Sequence, residues 1–157
     1  MRRVVFLDID GVLAPIRRWD RYGDLDRTCI QVLNDIVAAS EADVVVSSTW
    51  RHGKTVAQLQ ETLEAGGFVG RVIGKTPSDI RGAYRGDEIA AWLTEHAVDG
   101  FVIIDDHVDM GELRTHLVLT EPAHGLQPDD VPRALGILER RPAIARGPRG
   151  PRAKTTQ

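Results

Sequence analysis

Short apolar runs alternate with amphipathic stretches along this chain, regularly enough to predict its elements. Arg3–Ile9 carries Val4, Val5, Phe6, Leu7 and Ile9, a run that predicts a buried strand. Asp26–Ser40 places Ile30, Leu33 and Val37 at helical spacing, with Asp24 or Asp26 as the cap. Asp43–Ser47, with Val44, Val45 and Val46, predicts a second strand. Thr55–Ala65 puts Val56, Leu59 and Leu63 on one helical face, and Gly66-Gly67 stops it. Phe68–Ile73 reads as a third strand. Asp87–His96 turns Ile89, Trp92 and Leu93 inward as a helix. Phe101–Ile104 reads as the fourth strand, and His116–Leu119 as a short fifth before Pro122. Asp129–Arg141 is the last helix, with Pro132 tolerated in its first turn. This alternation predicts an α/β fold: a Rossmann-like three-layer sandwich whose mainly parallel five-stranded sheet is covered on both faces. There is no internal repeat.

Composition narrows the picture. With 157 residues, 42% hydrophobic and 27% charged, the chain can build one compact domain and is too short for two ordinary ones. No apolar run approaches the roughly 18 residues of a membrane span, so no membrane role is expected. The apolar stretch Val4–Leu7 meets Asp8 too early for a secretory leader. The single cysteine, Cys29, excludes a disulfide framework and a cysteine-based zinc site, and a cytoplasmic setting is expected. Beside Ile30 in the first helix, Cys29 reads as core.

Charge is unevenly distributed. Arg140–Gln157 holds six basic residues and no acidic one, so the 14 basic and 23 acidic residues before it leave a net −9, against −3 for the whole chain. Residues 1–141 are therefore read as the domain. Residues 142–157 are read as a basic Pro/Gly/Arg-rich tail without apolar periodicity, expected to be disordered. Such a tail can contact nucleic-acid phosphates or simply solvate the C-terminus.

The candidate chemistry lies at the strand ends, where open parallel sheets build their sites. The first strand ends in Asp8-Ile9-Asp10-Gly11, the second in Ser47-Ser48-Thr49, and the fourth in Asp105-Asp106. An Asp after a strand can be a mere turn former. Asp8, however, interrupts an apolar run where a turn residue has no local use. Carboxylates are costly to bury unpaired, so this cluster calls for a cation. Oxygen donors without a nearby Cys or His pair point to Mg²⁺. Gly53-Lys54-Thr55 and Gly74-Lys75-Thr76 each lack the earlier glycine of a P-loop, the positions being Ser48 and Val69. Among the scattered histidines, His107 alone stands beside the acidic pair.

Phe6-Leu7-Asp8-Ile9-Asp10-Gly11-Val12-Leu13 resembles the first motif of the haloacid dehalogenase (HAD) superfamily of phosphohydrolases. Val44-Val45-Val46-Ser47-Ser48 is similar to its second motif and Ile103-Ile104-Asp105-Asp106 to its fourth. Arg85, ahead of Gly86-Asp87-Glu88-Ile89, meets the third, a lone Lys or Arg; Lys75 competes for that place. The pattern Ser47-Ser48-Thr49-Trp50-Arg51, then Arg85-Gly86-Asp87-Glu88-Ile89, then Asp105-Asp106 also resembles small members associated with RNA repair and the phosphatase domain of polynucleotide kinase-phosphatases. The resemblance implies Asp8 as a nucleophile forming an aspartyl-phosphate, and Asp10 as general acid and then base. It implies Mg²⁺ held by Asp8, the Asp10 backbone carbonyl and Asp105 or Asp106. Ser48, with Thr49 as the alternative, would bind a phosphoryl oxygen, and Arg85 would balance charge.

Two intervals could hold a cap domain, Gly11–Asp43 with 33 residues and Trp50–Tyr84 with 35, but predicted elements consume both. An open site suits a large substrate such as an RNA or DNA end. The loop after the first motif mixes Arg17, Arg18 and Arg21 with Trp19 and Tyr22, suited to gripping phosphates and stacking a base. Arg18, Trp19, Tyr22, Thr49, Arg51 and Lys75 are accordingly the candidate substrate contacts. Trp19 and Tyr22 can equally pack as a flap. The expected function is a Mg²⁺-dependent phosphomonoesterase acting on a nucleic-acid terminus or nucleotide, with no obligate protein partner. A small-metabolite or phosphoprotein phosphatase of the same mechanism is the alternative, and a non-catalytic binding module on the same fold is the third reading.

Overall fold

A computed structural model describes residues 1–21, 23–78 and 84–140. Five strands and four helices follow in the order β1 (Arg3–Leu7), α1 (Arg27–Ser40), β2 (Asp43–Val46), α2 (Val56–Ala65), β3 (Val72–Lys75), α3 (Arg85–Glu95), β4 (Gly100–Asp105), β5 (Leu117–Leu119) and α4 (Asp130–Leu138). Short 3-10 turns cover Thr49–Arg51 and Gly111–His116. The tail predicted for residues 142–157 lies outside the described residues, as do Arg141 and Tyr22.

The sheet order is β3-β2-β1-β4-β5, and every pairing is parallel. Such connections need crossovers, and the helices supply them on both faces. Alternate strand residues divide between the faces. Val5, Leu7, Val44, Val46, Val102 and Ile104 join the core under α1, α2 and α4. Val4, Phe6, Val45, Phe101 and Ile103 meet Ile89, Trp92 and Leu93 of α3. Phe6 packs edge-on against both Trp92 and Phe101, with ring centroids 5.4 and 5.8 Å apart. Strand order reverses beside β1, which places a crevice at the C-terminal ends of β1 and β4.

Local chemistry sets the boundaries. Asp26, not Asp24, caps α1, accepting from the Thr28 and Cys29 N–H groups at 2.7 and 3.2 Å. Thr55 and Gln58 close a capping box on α2. Cys29 is core, as expected, and burial pushes its thiol up to about 11.

The third strand departs from the sequence expectation: it spans Val72–Lys75 rather than Phe68–Ile73. Phe68 is buried, but the backbone around it bonds to side chains of other elements. Asn34 donates to Gly67 O and accepts from Val69 N, while Gln60 donates to Gly70 O and accepts from Val72 N. With those groups satisfied, strand pairing begins only at Val72. α3 starts two residues earlier than predicted, so Arg85 lies in its first turn and not ahead of it. α4 ends at Leu138 rather than at Arg141.

Candidate active site

The register of the strands aligns the polar residues at their ends. Leu7 pairs with Val46 on one side and Ile104 on the other, so Asp8 stands between Ser47 and Asp105. Ladder bonds continue past the strands: Asp8 N donates to Ile104 O at 3.0 Å, Ser47 N to Leu7 O at 2.9 Å and Thr76 N to Val46 O at 3.0 Å. By the period of two, Asp8, Asp105 and Ser47 continue the faces of Phe6, Ile103 and Val45, toward α3.

The first turn of α3 answers them with a cation. Arg85 Nη1 lies 3.0 Å from Asp8 Oδ1 and 2.8 Å from Asp105 Oδ2. Asp105 Oδ1 accepts the His107 backbone N–H at 3.0 Å, and His107 Nδ1 stands 2.9 Å from Asp106 Oδ1. Ligand atoms of Asp8, Asp105, Asp106 and His107 all lie within 4.8 Å of one another. Gly11 (φ 79°) makes room for this cluster, because a Cβ there would collide with the Asp106 carboxylate.

Two carboxylates thus share one guanidinium, and the third, Asp106, faces His107. Burial first, and then the charge of Asp105, pushes the Asp8 carboxyl up; Arg85 opposes the shift. Burial likewise raises Asp105 against the pull of Arg85, and raises Asp106 together with Asp8. Burial alone would lower Arg85, but Asp105 and Asp8 reverse that, so it stays charged. His107 is also raised, the two neighbouring carboxylates outweighing its desolvation. The buried Asp106 Oδ1 lacks a well-formed hydrogen bond, and so does Asp10 Oδ1. Excess negative charge, clustered carboxylate oxygens and the Asp106 oxygen without a hydrogen bond together fit a hard divalent cation such as Mg²⁺.

The other candidates separate by geometry. Asp10 lies just past the strand, and its carboxylate is outside the Asp8–Asp105–Asp106 group. Asp10 Oδ2 instead accepts the Trp50 indole N–H at 3.1 Å. Trp50 is half-buried against the core, with Lys54 Nζ 5.7 Å from its ring centroid. This partner of Asp10 was missed from sequence; its only sign was a tryptophan beside the second motif.

Among the three consecutive hydroxyls, Ser48 Oγ accepts from Trp50 N at 3.2 Å and caps the 3-10 turn. Ser47 Oγ is buried without a partner beside Asp8. This departs from the expectation for Ser48, because side-chain alternation turns Ser47, not Ser48, to the face of Asp8. Thr49 is exposed and lines a cavity above the site.

Lys75 does not join the cluster: its ammonium donates to Lys54 O at 2.6 Å and reaches Arg51 O at 3.4 Å. Between the two candidates for the third motif, Arg85 is therefore the one at the acidic centre. Arg51 is 3% exposed and fully engaged, donating to the carbonyls of Ser47, Ser48, Thr76 and Pro77 and pairing with Glu88 at 2.9 Å. It ties the second strand end to α3 and is not free to grip a substrate. Arg18 forks onto Asp20 with two bonds of 3.0 Å, and Trp19 is 98% exposed. Among the described residues no helix is long and apolar enough to cross a membrane.

Comparison with known proteins gives one result. The family described as the HAD domain in Swiss Army Knife RNA repair proteins matches residues 4–131, which takes in all five strands except Arg3, the first residue of β1, and the whole acidic cluster. No match was found among curated proteins or among solved structures.

Proposed function

We propose a function from one premise: the chain belongs to the family of HAD domains in Swiss Army Knife RNA repair proteins. It is a Mg²⁺-dependent phosphomonoesterase that removes a terminal phosphate from RNA through an aspartyl-phosphate on Asp8. The observation that carries this reading is the Asp8–Arg85–Asp105–Asp106 cluster at the crevice between β1 and β4.

Asp8 must be ionised to attack phosphorus, and the Arg85 contact favours that form inside a buried site. As the new oxygen–phosphorus bond forms, the bond to the leaving oxygen breaks, and Asp10 donates its proton to that oxygen. Asp10 then takes a proton from water as the water oxygen attacks phosphorus. Phosphate departs and the Asp8 carboxylate is restored. Ser47, buried and unpartnered, donates to a phosphoryl oxygen, and Arg85 balances charge on the transferring group. Asp8, Asp105 and Asp106 would hold Mg²⁺, which offsets the repulsion between Asp8 and a phosphate dianion when bound.

The test is phosphate release from RNA oligonucleotides phosphorylated at either end, with and without EDTA. Release is expected with Mg²⁺, falling to background with EDTA and returning when Mg²⁺ is restored in excess. Undiminished release in EDTA would refute the reading.

Trp50 makes a second test possible. Its N–H fixes one Asp10 oxygen, so Trp50→Phe keeps an aromatic ring and loses the bond. General acid catalysis contributes about 10²–10⁴-fold. A loosened acid is expected to slow an alkyl phosphate by about tenfold while an activated aryl phosphate, which needs no protonation, changes less. Equal slowing of both would assign Trp50 to packing alone.

A further inference from the structure

Among the described residues, two cavities flank the loops at this edge of the sheet, and the second reaches the acidic centre through Arg85 and His107. The first, about 260 Å³, is lined by Arg17, Arg18 and Arg21 together with Asp24 and Asp26. Its charges are largely matched internally. Arg18 is bound by Asp20, and Arg17 donates to Ala123 O at 3.2 Å with Asp26 3.9 Å away. Neither Arg85 nor His107 lines it.

The second cavity, about 310 Å³, is lined by Thr49, His52, Tyr84, Arg85 and His107, with the paired Arg51 and Glu88 on its floor and Asp109 at its wall. Arg85 belongs both to this cavity and to the Asp8 contact, so the cavity begins where a phosphoryl group would react. Tyr84 caps α3 through its backbone, leaving its side chain 67% exposed at the cavity wall. The core does not use that ring. His52 and the largely exposed His107 add nitrogen donors, and Thr49 adds a hydroxyl. An exposed aromatic beside cationic and hydroxyl donors suits a ligand with a flat ring and a sugar-phosphate. The volume lies at the lower end of the roughly 300–1,000 Å³ of small-ligand sites, which suits one nucleotide rather than a strand.

We propose that this cavity seats the nucleoside bearing the scissile phosphate, with its base stacked on Tyr84, and that the arginine-rich loop after β1 does not hold that base. The proposal rests on the phosphatase reading above. It makes Tyr84 a specificity residue that recognises a terminal nucleotide whatever the length of RNA behind it.

The experiment compares kcat/KM for a phosphorylated RNA oligonucleotide with that for acetyl phosphate, which has no ring to stack. Tyr84→Ala is expected to lower the ratio of the two by about ten- to hundredfold, the worth of one stacked base, through KM more than kcat. Tyr84→Phe and Tyr84→Trp, which keep a ring, are expected to hold the ratio near wild type. In Asp8→Asn protein, an oligonucleotide ending in 2-aminopurine is expected to lose fluorescence on binding, and Tyr84→Ala added to that background to abolish the quenching. An unchanged ratio in Tyr84→Ala, or a selective loss in Trp19→Ala instead, overturns the proposal while wild-type turnover leaves the phosphatase reading standing. Absence of Mg²⁺-dependent turnover of either substrate by the wild type overturns both.

Discussion

Asp8→Asn is expected to abolish phosphate release, by a factor on the order of 10⁴ or more, because the amide keeps the size of the side chain and loses its nucleophilicity. The same variant is expected to melt higher than wild type when both are freed of metal. Burial and Asp105 hold the Asp8 carboxyl above its ordinary 3.8, so the folded state binds that proton more tightly than the unfolded chain does. The stability that comes with the proton is present at acid pH and is lost as pH rises through the folded value. At neutral pH the wild type therefore carries repulsion among Asp8, Asp105 and Asp106 that a neutral amide in place of the Asp8 carboxylate relieves. A gain of about 1 kcal/mol would raise the melting temperature by roughly 2–4 °C. Thermal unfolding in EDTA at pH 5 and pH 7.5 measures it, with the larger gap expected at pH 7.5. Release that persists in the variant would remove Asp8 from the chemistry; a lower melting temperature at both values would show that Asp8 stabilises the fold.

Arg51→Ala is expected to cost the most stability of any change considered. Its guanidinium satisfies four backbone carbonyls and the Glu88 carboxylate while the residue itself is only 3% exposed. Burial lowers its proton affinity, with Glu88 opposing, so the pair is held by geometry rather than by weak surface attraction. Removing one partner of such a buried pair costs about 3–5 kcal/mol, a large part of the roughly 5–15 kcal/mol that stabilises a domain. A drop of about 10 °C in melting temperature is expected, measured by circular dichroism. Lysine cannot reproduce the fork, so Arg51→Lys should recover little. A variant with unchanged melting temperature and only a raised KM would instead make Arg51 a substrate contact.

The fold was legible because its signals are local. Val4–Leu7, Val44–Val46 and Phe101–Ile104 are apolar runs too short for helices, while Ile30, Leu33 and Val37 repeat at helical spacing. Alternation of the two kinds admits few topologies. The strand at Val72–Lys75 was displaced because its limits depend on Asn34 and Gln60, which reach it from α1 and α2. Asn34 is 34 residues from Phe68, outside any local window, and Gln60 sits in a different element, so neither bond shows in the apolar pattern around Phe68.

The candidate site divides along the same line. Asp8, Asp10, Asp105 and Asp106 announce themselves in sequence, since a carboxylate that breaks or ends an apolar strand is costly without a purpose. Their neighbours do not. Ser47 and Ser48 are chemically identical, and only the pairing of Val46 with Leu7 decides which hydroxyl stands beside Asp8. Arg85 and Lys75 were equivalent as charges until the start of α3 carried one to Asp8 and the end of β3 turned the other to the Lys54 carbonyl. Arg51 and Tyr84 exchanged expectations: the arginine that looked free is locked under the site, and a tyrosine outside every motif stands open on its wall. Composition and period state which elements form and where acids gather. Which side chains meet depends on strand register and helix start, which are settled by contacts between residues far apart in the chain.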